Sequence, residues 1–393
     1  MNTSILNTEI QEFINKNLNS NISSLLLKGT NFTSVETKTI IEQIEAKKRC
    51  DKKLPTWFHC KNIYYPNKLN IEQTSSEISA KYKSNLIKGD TIIDLTGGFG
   101  VDCYFFSKHF KTVEHCEINE NLSNIVNHNY TQLKTDNIKT IHADGIAYLK
   151  TVNKNFDWIY IDPSRRHDSK GKVFFLNDCL PNVPQYLELL FKHSKNILIK
   201  TSPLLDLSVG ISELKHVKTI HVVAINNEVK ELLWVLESRF EGNVSIETVN
   251  IKKEQHDSFN FSLEKEKLID SKYNKPLTYL YEPNSAILKA GGFHSISNQL
   301  NVFKLHKHSH LYTNKAQIDF PGRVFKIENI INYNKKALKK LNITKANITT
   351  RNFTETVQQI RKKFNIKDGG DYFIFFTTNS DNEKIVITTT KLY

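Results

Sequence analysis

The sequence has little of what marks several large protein classes. It holds five cysteines (Cys50, Cys60, Cys103, Cys116, Cys179), and no two stand in Cys-x-x-Cys spacing. That argues against a zinc site or a disulfide framework and for reduced thiols in a cytoplasm. No run approaches the roughly 18–20 apolar residues a membrane span needs. The opening stretch, Met1 to Ile10, lacks the basic-then-apolar build of a secretory signal. Internal repeats and low-complexity tracts are absent. His306, His308 and His310 alternate and would share one face of a strand, but no carboxylate or cysteine lies close to them in sequence. The expectation is a cytoplasmic protein with no metal and no membrane partner.

What is present supports a multidomain globular chain. Its 393 residues allow two or three domains, and 39% hydrophobic residues supply their cores. The formal charge of +13 is uneven: residues 271–393 carry 20 Lys and Arg against 8 Asp and Glu. The basic excess therefore belongs to the C-terminal third. A one-sided basic module beside a near-neutral one points to a polyanionic partner, most often nucleic acid.

Residues 1 to about 50 read as helices, with Ile10, Phe13, Ile14 and Leu18 at three- and four-residue steps. Leu54 to Pro66 is aromatic and Pro-punctuated and reads as a connector, with Trp57 and Tyr65 more often core than base-stacking groups. A helix capped near Ser76 then leads into Thr91-Ile-Ile-Asp-Leu-Thr-Gly-Gly-Phe-Gly100. This is a buried strand that ends in a glycine-rich turn before a helix. Such a turn brings backbone N–H groups close to a ligand, and the helix start favours negative charge. Strands at 112–117, 139–142, 156–162 and 196–200 alternate with helices, as in a parallel doubly wound α/β sheet. Strands 219–225 and 229–237 flank Asn226-Asn-Glu228, which is hairpin spacing. Residues 239 to about 275 are polar and read as linker. A compact α+β region follows, in which Asp368-Gly-Gly-Asp371 is a turn signal.

Acids stand at the ends of four successive strands: Asp94, Glu117, Asp144 and Asp162. In a parallel sheet these ends open on one crevice. Glu117 falls about 20 residues after the glycines, where an acid can accept from ribose hydroxyls. Asp144 can accept from an adenine amino group, and Asp94 can help hold a ligand ammonium through water or backbone. Asp162, with the Pro163 carbonyl beside it, can receive a substrate amine. A single acid at a strand end is more often a cap or turn former; four in register point to a site. Cys103 occupies the third position of what would be G-x-G-x-x-G, which with the closing hairpin counts against an NAD-dependent oxidoreductase.

These motifs carry a resemblance. Glu72-Gln-Thr-Ser-Ser-Glu77, Asp94-Leu-Thr-Gly-Gly-Phe-Gly-Val-Asp102, Asp144-Gly145, Asp162-Pro-Ser-Arg-Arg166 and Lys200-Thr-Ser-Pro203 resemble class I S-adenosylmethionine-dependent methyltransferases, and more closely the bacterial group with a C-terminal THUMP-like domain. Tyr281-Glu-Pro283, His310-Leu-Tyr312, Thr350-Arg-Asn-Phe353 and Gly369-Gly370 are similar to that group's tail. The residue pattern gives a helical N-terminal segment (1–70), and the resemblance, over about 72–393, implies a Rossmann-like seven-stranded methyltransferase sheet (71–240), a small ferredoxin-like domain (276–323) and a THUMP-like domain (324–393). It implies S-adenosylmethionine as cofactor, with Thr96, Gly98 and Gly100 at its methionine end, Glu117 at its ribose and Asp144 at its adenine.

Thr96 stands where a first glycine is usual. The fourth-strand motif lacks the aromatic of Asn/Asp-Pro-Pro-Tyr/Phe, and no cysteine follows closely to serve as a covalent nucleophile. Asp162, with Pro163 and Ser164, is the candidate catalytic motif, Asp162 orienting or deprotonating the acceptor. Arg165 and Arg166 either grip a phosphate beside the target or pair with neighbouring acids. Lys200 and Ser202 flank the same crevice, and Arg351 lies in the basic tail. THUMP-type domains are associated with RNA, so the resemblance implies a methyltransferase acting on a nucleobase of tRNA or rRNA. The alternative is a noncatalytic RNA-binding protein that keeps the fold.

Overall fold

The computed structural model describes residues 1–165, 175–253 and 256–392, with the Arg165 side chain excepted. The chain forms two compact units: Met1–Val217 with Leu233–Phe240, and Lys218–Leu232 with Glu241–Tyr393. Among the described residues, no helix is long and apolar enough to cross a membrane.

The first unit opens with helices α1 (Thr8–Lys16), α2 (Ile22–Lys28), α3 (Thr37–Lys53), α4 (Pro55–His59), α5 (Lys68–Gln73) and α6 (Glu77–Leu86). Ile40, Ile41, Ile44 and Cys50 of α3 are buried, as their spacing requires of one helix face. The connector reading of 54–66 is corrected here: Pro55 starts a helix, since its missing N–H costs nothing at that position. Trp57, in α4, is buried and packs on Phe99 and Tyr104, with ring centroids 6.1 and 5.0 Å away. The segment beyond α4 has no strand partner for its backbone. Gln43 bonds Tyr65 N–H and C=O (2.9 and 2.6 Å), and Asn129 bonds Tyr64 N–H and C=O (2.9 Å each), so two side-chain amides satisfy it instead.

Strands β1 (Thr91–Asp94), β2 (Thr112–Glu117), β3 (Ile138–His142), β4 (Phe156–Ile161) and β5 (Ser194–Thr201) follow, with β6 (Val217–Ile225) and β7 (Glu228–Glu237) after them. Between them stand α7 (Val101–Phe106), α8 (Glu120–Gln132), α9 (Gly145–Thr151), α10 (Val183–His193) and α11 (Leu207–Glu213). Ile92, Ile93, Ile159, Tyr160 and Ile161 are almost fully buried, the continuous apolar run expected of strands covered on both faces. The sheet order here is β7-β5-β4-β1-β2-β3, and β5, β4, β1, β2 and β3 pair in parallel. Asn226 and Asn227 take φ +50° and +64°, which closes the β6–β7 hairpin. β7 lies between β5 and β6, an order that differs from the 3-2-1-4-5-6 of dinucleotide-binding sheets.

In the second unit β7 continues the order β9-β8-β6-β7, with β8 (Ser245–Ile251) parallel to β6 and β9 (His256–Ser262) antiparallel to β8. The linker reading of 239–275 is therefore corrected: β8 and β9 add two strands to the seven of β1–β7. Phe259 and Phe261 alternate inward from a polar stretch, and that two-residue period was the available signal. The segment ends in α12 (Leu263–Leu268).

A second sheet contains β10 (Tyr279–Pro283), β11 (Phe303–Lys304), β12 (Tyr312–Asn314), β13 (Gly322–Asn332), β14 (Lys345–Arg351), β15 (Lys367–Thr378) and β16 (Lys384–Lys391), in the order β11-β12-β10-β13-β16-β15-β14. It carries α13 (Ser285–Ala290), α14 (Phe293–Gln299), α15 (Lys335–Lys340) and α16 (Val357–Phe364). Both faces are apolar: Leu280, Phe325, Phe375 and Ile387 fill one core, and Leu338, Ile360, Ile374 and Phe376 the other. The turn at Asp368–Asp371 is a bulge instead. Gly369 and Gly370, at φ +90° and +84°, shift the register inside the 12-residue β15. His306–His310 is a tight turn and not a strand. His306 uses its ring nitrogens on Asn382 (3.0 Å) and Asn352 (2.9 Å), and no metal-holding cluster of His, Cys, Asp or Glu occurs among the described residues.

Candidate active site

The four acids of the sequence pattern stand along one sheet edge. Asp94 ends β1, Glu117 ends β2, Asp144 follows β3 and Asp162 follows β4, and these strands are parallel neighbours in the order β4-β1-β2-β3. The crevice there is the point where the strand order reverses.

The glycine-rich turn is built by the acids themselves. Asp94 is buried, and its Oδ1 accepts from the N–H (2.8 Å) and hydroxyl (3.1 Å) of Thr96. The Cys103 thiol donates to Oδ2 at 3.4 Å. Burial pushes the Asp94 carboxyl up to about 7, and the Thr96 N–H opposes that rise. Thr96 explains its own presence where a glycine is usual. Its hydroxyl donates to Asp94 and accepts the Asp162 N–H at 2.7 Å, so one side chain ties the ends of β1 and β4 together. Gly98 donates its N–H to Glu117 Oε2 at 2.9 Å, and Asn119 N–H meets Oε1 at 2.7 Å. Partial burial raises the Glu117 carboxyl above its ordinary range, against the pull of these backbone donors.

Glycine is required at particular points of this frame. Gly98 and Gly100 have φ +55° and +75°. A Cβ on Gly98 would face open space, its nearest neighbour Thr96 O at 3.8 Å, so the open side of the turn lies at this residue. A Cβ on Gly97 would stand 2.3 Å from His115 Nε2. His115 is fully buried beneath the turn, and burial holds its imidazole down at about 4, so it supports the turn as a neutral ring. Asp144 caps α9 by accepting Ala147 N–H at 2.8 Å, and Gly145 lets that helix approach β1 closely.

Asp162 pairs with Lys200, at the end of β5, through Oδ2. Pro163 is buried and Ser164 exposed, and Ser164–Arg165 pairs with Cys179–Leu180. Ser202 accepts Leu204 N–H at 3.2 Å just beyond β5. Arg166 and the side chain of Arg165 lie outside the described residues. Arg351 belongs to the second unit. With Arg323 it holds the buried Glu282 carboxylate, at 3.0 Å through Nη2, which joins Tyr281-Glu-Pro283 to Thr350-Arg-Asn-Phe353.

One group escaped the sequence reading. Asp102, on α7, accepts from Tyr160 (2.8 Å) and Ser75 (2.9 Å) hydroxyls and pairs with Lys83 at 3.1 Å. Lys83 is wholly buried and also donates to the Ser75 hydroxyl at 3.0 Å. Burial alone would raise the Asp102 carboxyl, but Lys83, Lys200 and the two hydroxyls bring it below its ordinary range. Ser75 and Asp102 both stand in quoted motifs, yet no spacing rule links residues 27 positions apart.

Residues 279–321 match a ferredoxin-like domain family, and residues 322–391 a THUMP domain-like family. The whole chain is similar to a crystal structure of a candidate methyltransferase from Porphyromonas gingivalis W83, at 32% identity and a TM-score of 0.90 over 100% of this chain and 99% of that one. An rRNA methylase from Streptococcus thermophilus matches at 15% identity and a TM-score of 0.31, over 41% of this chain and 93% of that one. A candidate methyltransferase from Streptococcus mutans, solved in complex with SAH, matches at 16% and 0.31, over 41% and 96%. No curated protein matches the sequence.

Proposed function

Because the chain belongs to the methyltransferases that carry a C-terminal THUMP-like domain, we propose that it transfers a methyl group from S-adenosylmethionine to a nucleobase of structured RNA, tRNA or rRNA. The carrying observation is the single sheet edge that gathers the Thr96–Gly100 turn, Glu117, Asp144 and Asp162. The cofactor's requirements fit this edge. Gly98 leaves open space at the turn, where the methionine end would lie near Thr96 and Gly100. Glu117, already fixed by two backbone donors, keeps lone pairs for ribose hydroxyls, and Asp144 stands at the adenine end.

When bound, the cofactor supplies a methyl group activated by its sulfonium centre. The chain's own residues then have to align the acceptor and exclude water. Asp162 orients the acceptor, with Pro163 and Ser164 shaping the strand end beside it. The basic C-terminal third, where the THUMP-like region lies, supports RNA as the polyanion, and Arg165 and Arg166 are assigned to a phosphate near the target.

Two measurements test this. Isothermal titration with S-adenosylmethionine should give saturable heat that Asp144→Ala weakens at least tenfold. Mass spectrometry of nucleosides from total tRNA and rRNA should show one methylated base missing when the gene is deleted. Heat without a missing base would retire RNA as the substrate. No heat would favour the noncatalytic RNA-binding alternative.

A further inference from the structure

Asp162 is one end of a chain of alternating charges. Lys200 donates to its Oδ2, and Lys200 itself is largely covered, with 14% of its side chain exposed. Asp102 feels the Lys200 charge and holds Lys83 at 3.1 Å. Lys83 is fully buried. Tyr160, on β4, and Ser75, before α6, donate to Asp102 Oδ2. Two lysines and two aspartates from four separate parts of the first unit thus alternate in sign. The Asp102 charge in turn helps raise the carboxyl of Asp94, on β1. Burying the Lys83–Asp102 pair and most of Lys200 is costly, and such burial can fix a geometry. A lysine kept to grip RNA phosphate would instead stand in water on an exposed surface.

We propose that Lys200 is a positioning residue: it aims the Asp162 carboxylate at the acceptor. This rests on the methyltransferase reading given above. It also narrows the acceptor. With Oδ2 taken by Lys200, Asp162 meets the substrate through Oδ1, a hydrogen-bond acceptor only. The group delivered to it must bring an N–H or O–H, so the chemistry is that of an amino or hydroxyl group and not of a bare carbonyl oxygen or a ring carbon.

The test uses the full chain, tritium-labelled S-adenosylmethionine, and bulk RNA from cells lacking the gene. Lys200→Met should lower kcat at least 100-fold while the RNA KM and the cofactor Kd stay within about twofold. Lys200→Arg should recover at least a tenth of the lost rate. The salt dependence of RNA binding gives a second readout that needs no turnover: the slope of log K against log salt should be the same for Lys200→Met and wild type. A rise in KM with kcat intact, or a slope smaller by about 0.7–0.9, would make Lys200 a phosphate contact and overturn the proposal. Should Lys200→Met fail to fold, the kcat-against-KM split of Lys200→Arg decides the same point. Wild-type protein that binds the cofactor but labels no RNA would sink the RNA reading, and this acceptor assignment with it.

Discussion

Single side chains do several jobs at the sheet edge, and Thr96 is the clearest case. A glycine there would leave the Asp162 N–H without its 2.7 Å acceptor and Asp94 without one donor. The sequence shows only a departure from pattern at position 96; the partner lies 66 residues away. Thr96→Val keeps the shape and removes the hydroxyl. It should destabilise the fold by about 1–3 kcal/mol, the cost of stranding buried polar groups. It should also weaken cofactor binding about tenfold, and Thr96→Ser should restore both, as read by thermal melting and calorimetry. Asp94 belongs to the same scale. Its oxygens are turned to Thr96 and Cys103, so its part in holding a ligand ammonium would run through water or the turn's backbone. A strand-end acid is visible in sequence, but the direction its carboxylate faces is not.

Among the elements, the strands buried on both faces were the most legible, because an apolar run such as Ile92-Ile93 has few other fates. Helix starts were legible where a cap names them, as Ser76 does for α6. Legibility failed where tertiary partners do the work of propensity. β8 and β9 are polar but gain their hydrogen bonds from β6 and from each other. β15 runs through two glycines because a bulge absorbs them. Gly145 shows how tightly two elements can be fitted. A Cβ there would stand 2.3 Å from Leu95 O, a backbone atom that cannot rotate away. Gly145→Ala should therefore push α9 off the end of β1. The expected result is a lower Tm and loss of most cofactor affinity, measured by scanning calorimetry and titration.

At the scale of the whole molecule, charge is the property the sequence states outright. Residues 335–340 place four exposed lysines on α15, whereas Arg361 is occupied by Asp368 and Lys363 by Glu355. Replacing Lys335, Lys336, Lys339 and Lys340 with Glu should weaken tRNA binding and flatten its salt dependence by about three in slope, leaving cofactor affinity unchanged. An unchanged slope would remove α15 from the RNA-binding surface. By itself the sequence determined the alternation of strands and helices, the acids at the strand ends, the glycine turn and the basic tail. Each of these is local or additive, and can be read from neighbours in the chain or by counting. Tertiary structure alone decided that β7 enters between β5 and β6, that Thr96 bridges two strands, and that Lys200 pairs with Asp162 and Lys83 with Asp102. Those contacts join residues distant in the chain, and their free energy comes from burial and from partners that no local spacing encodes.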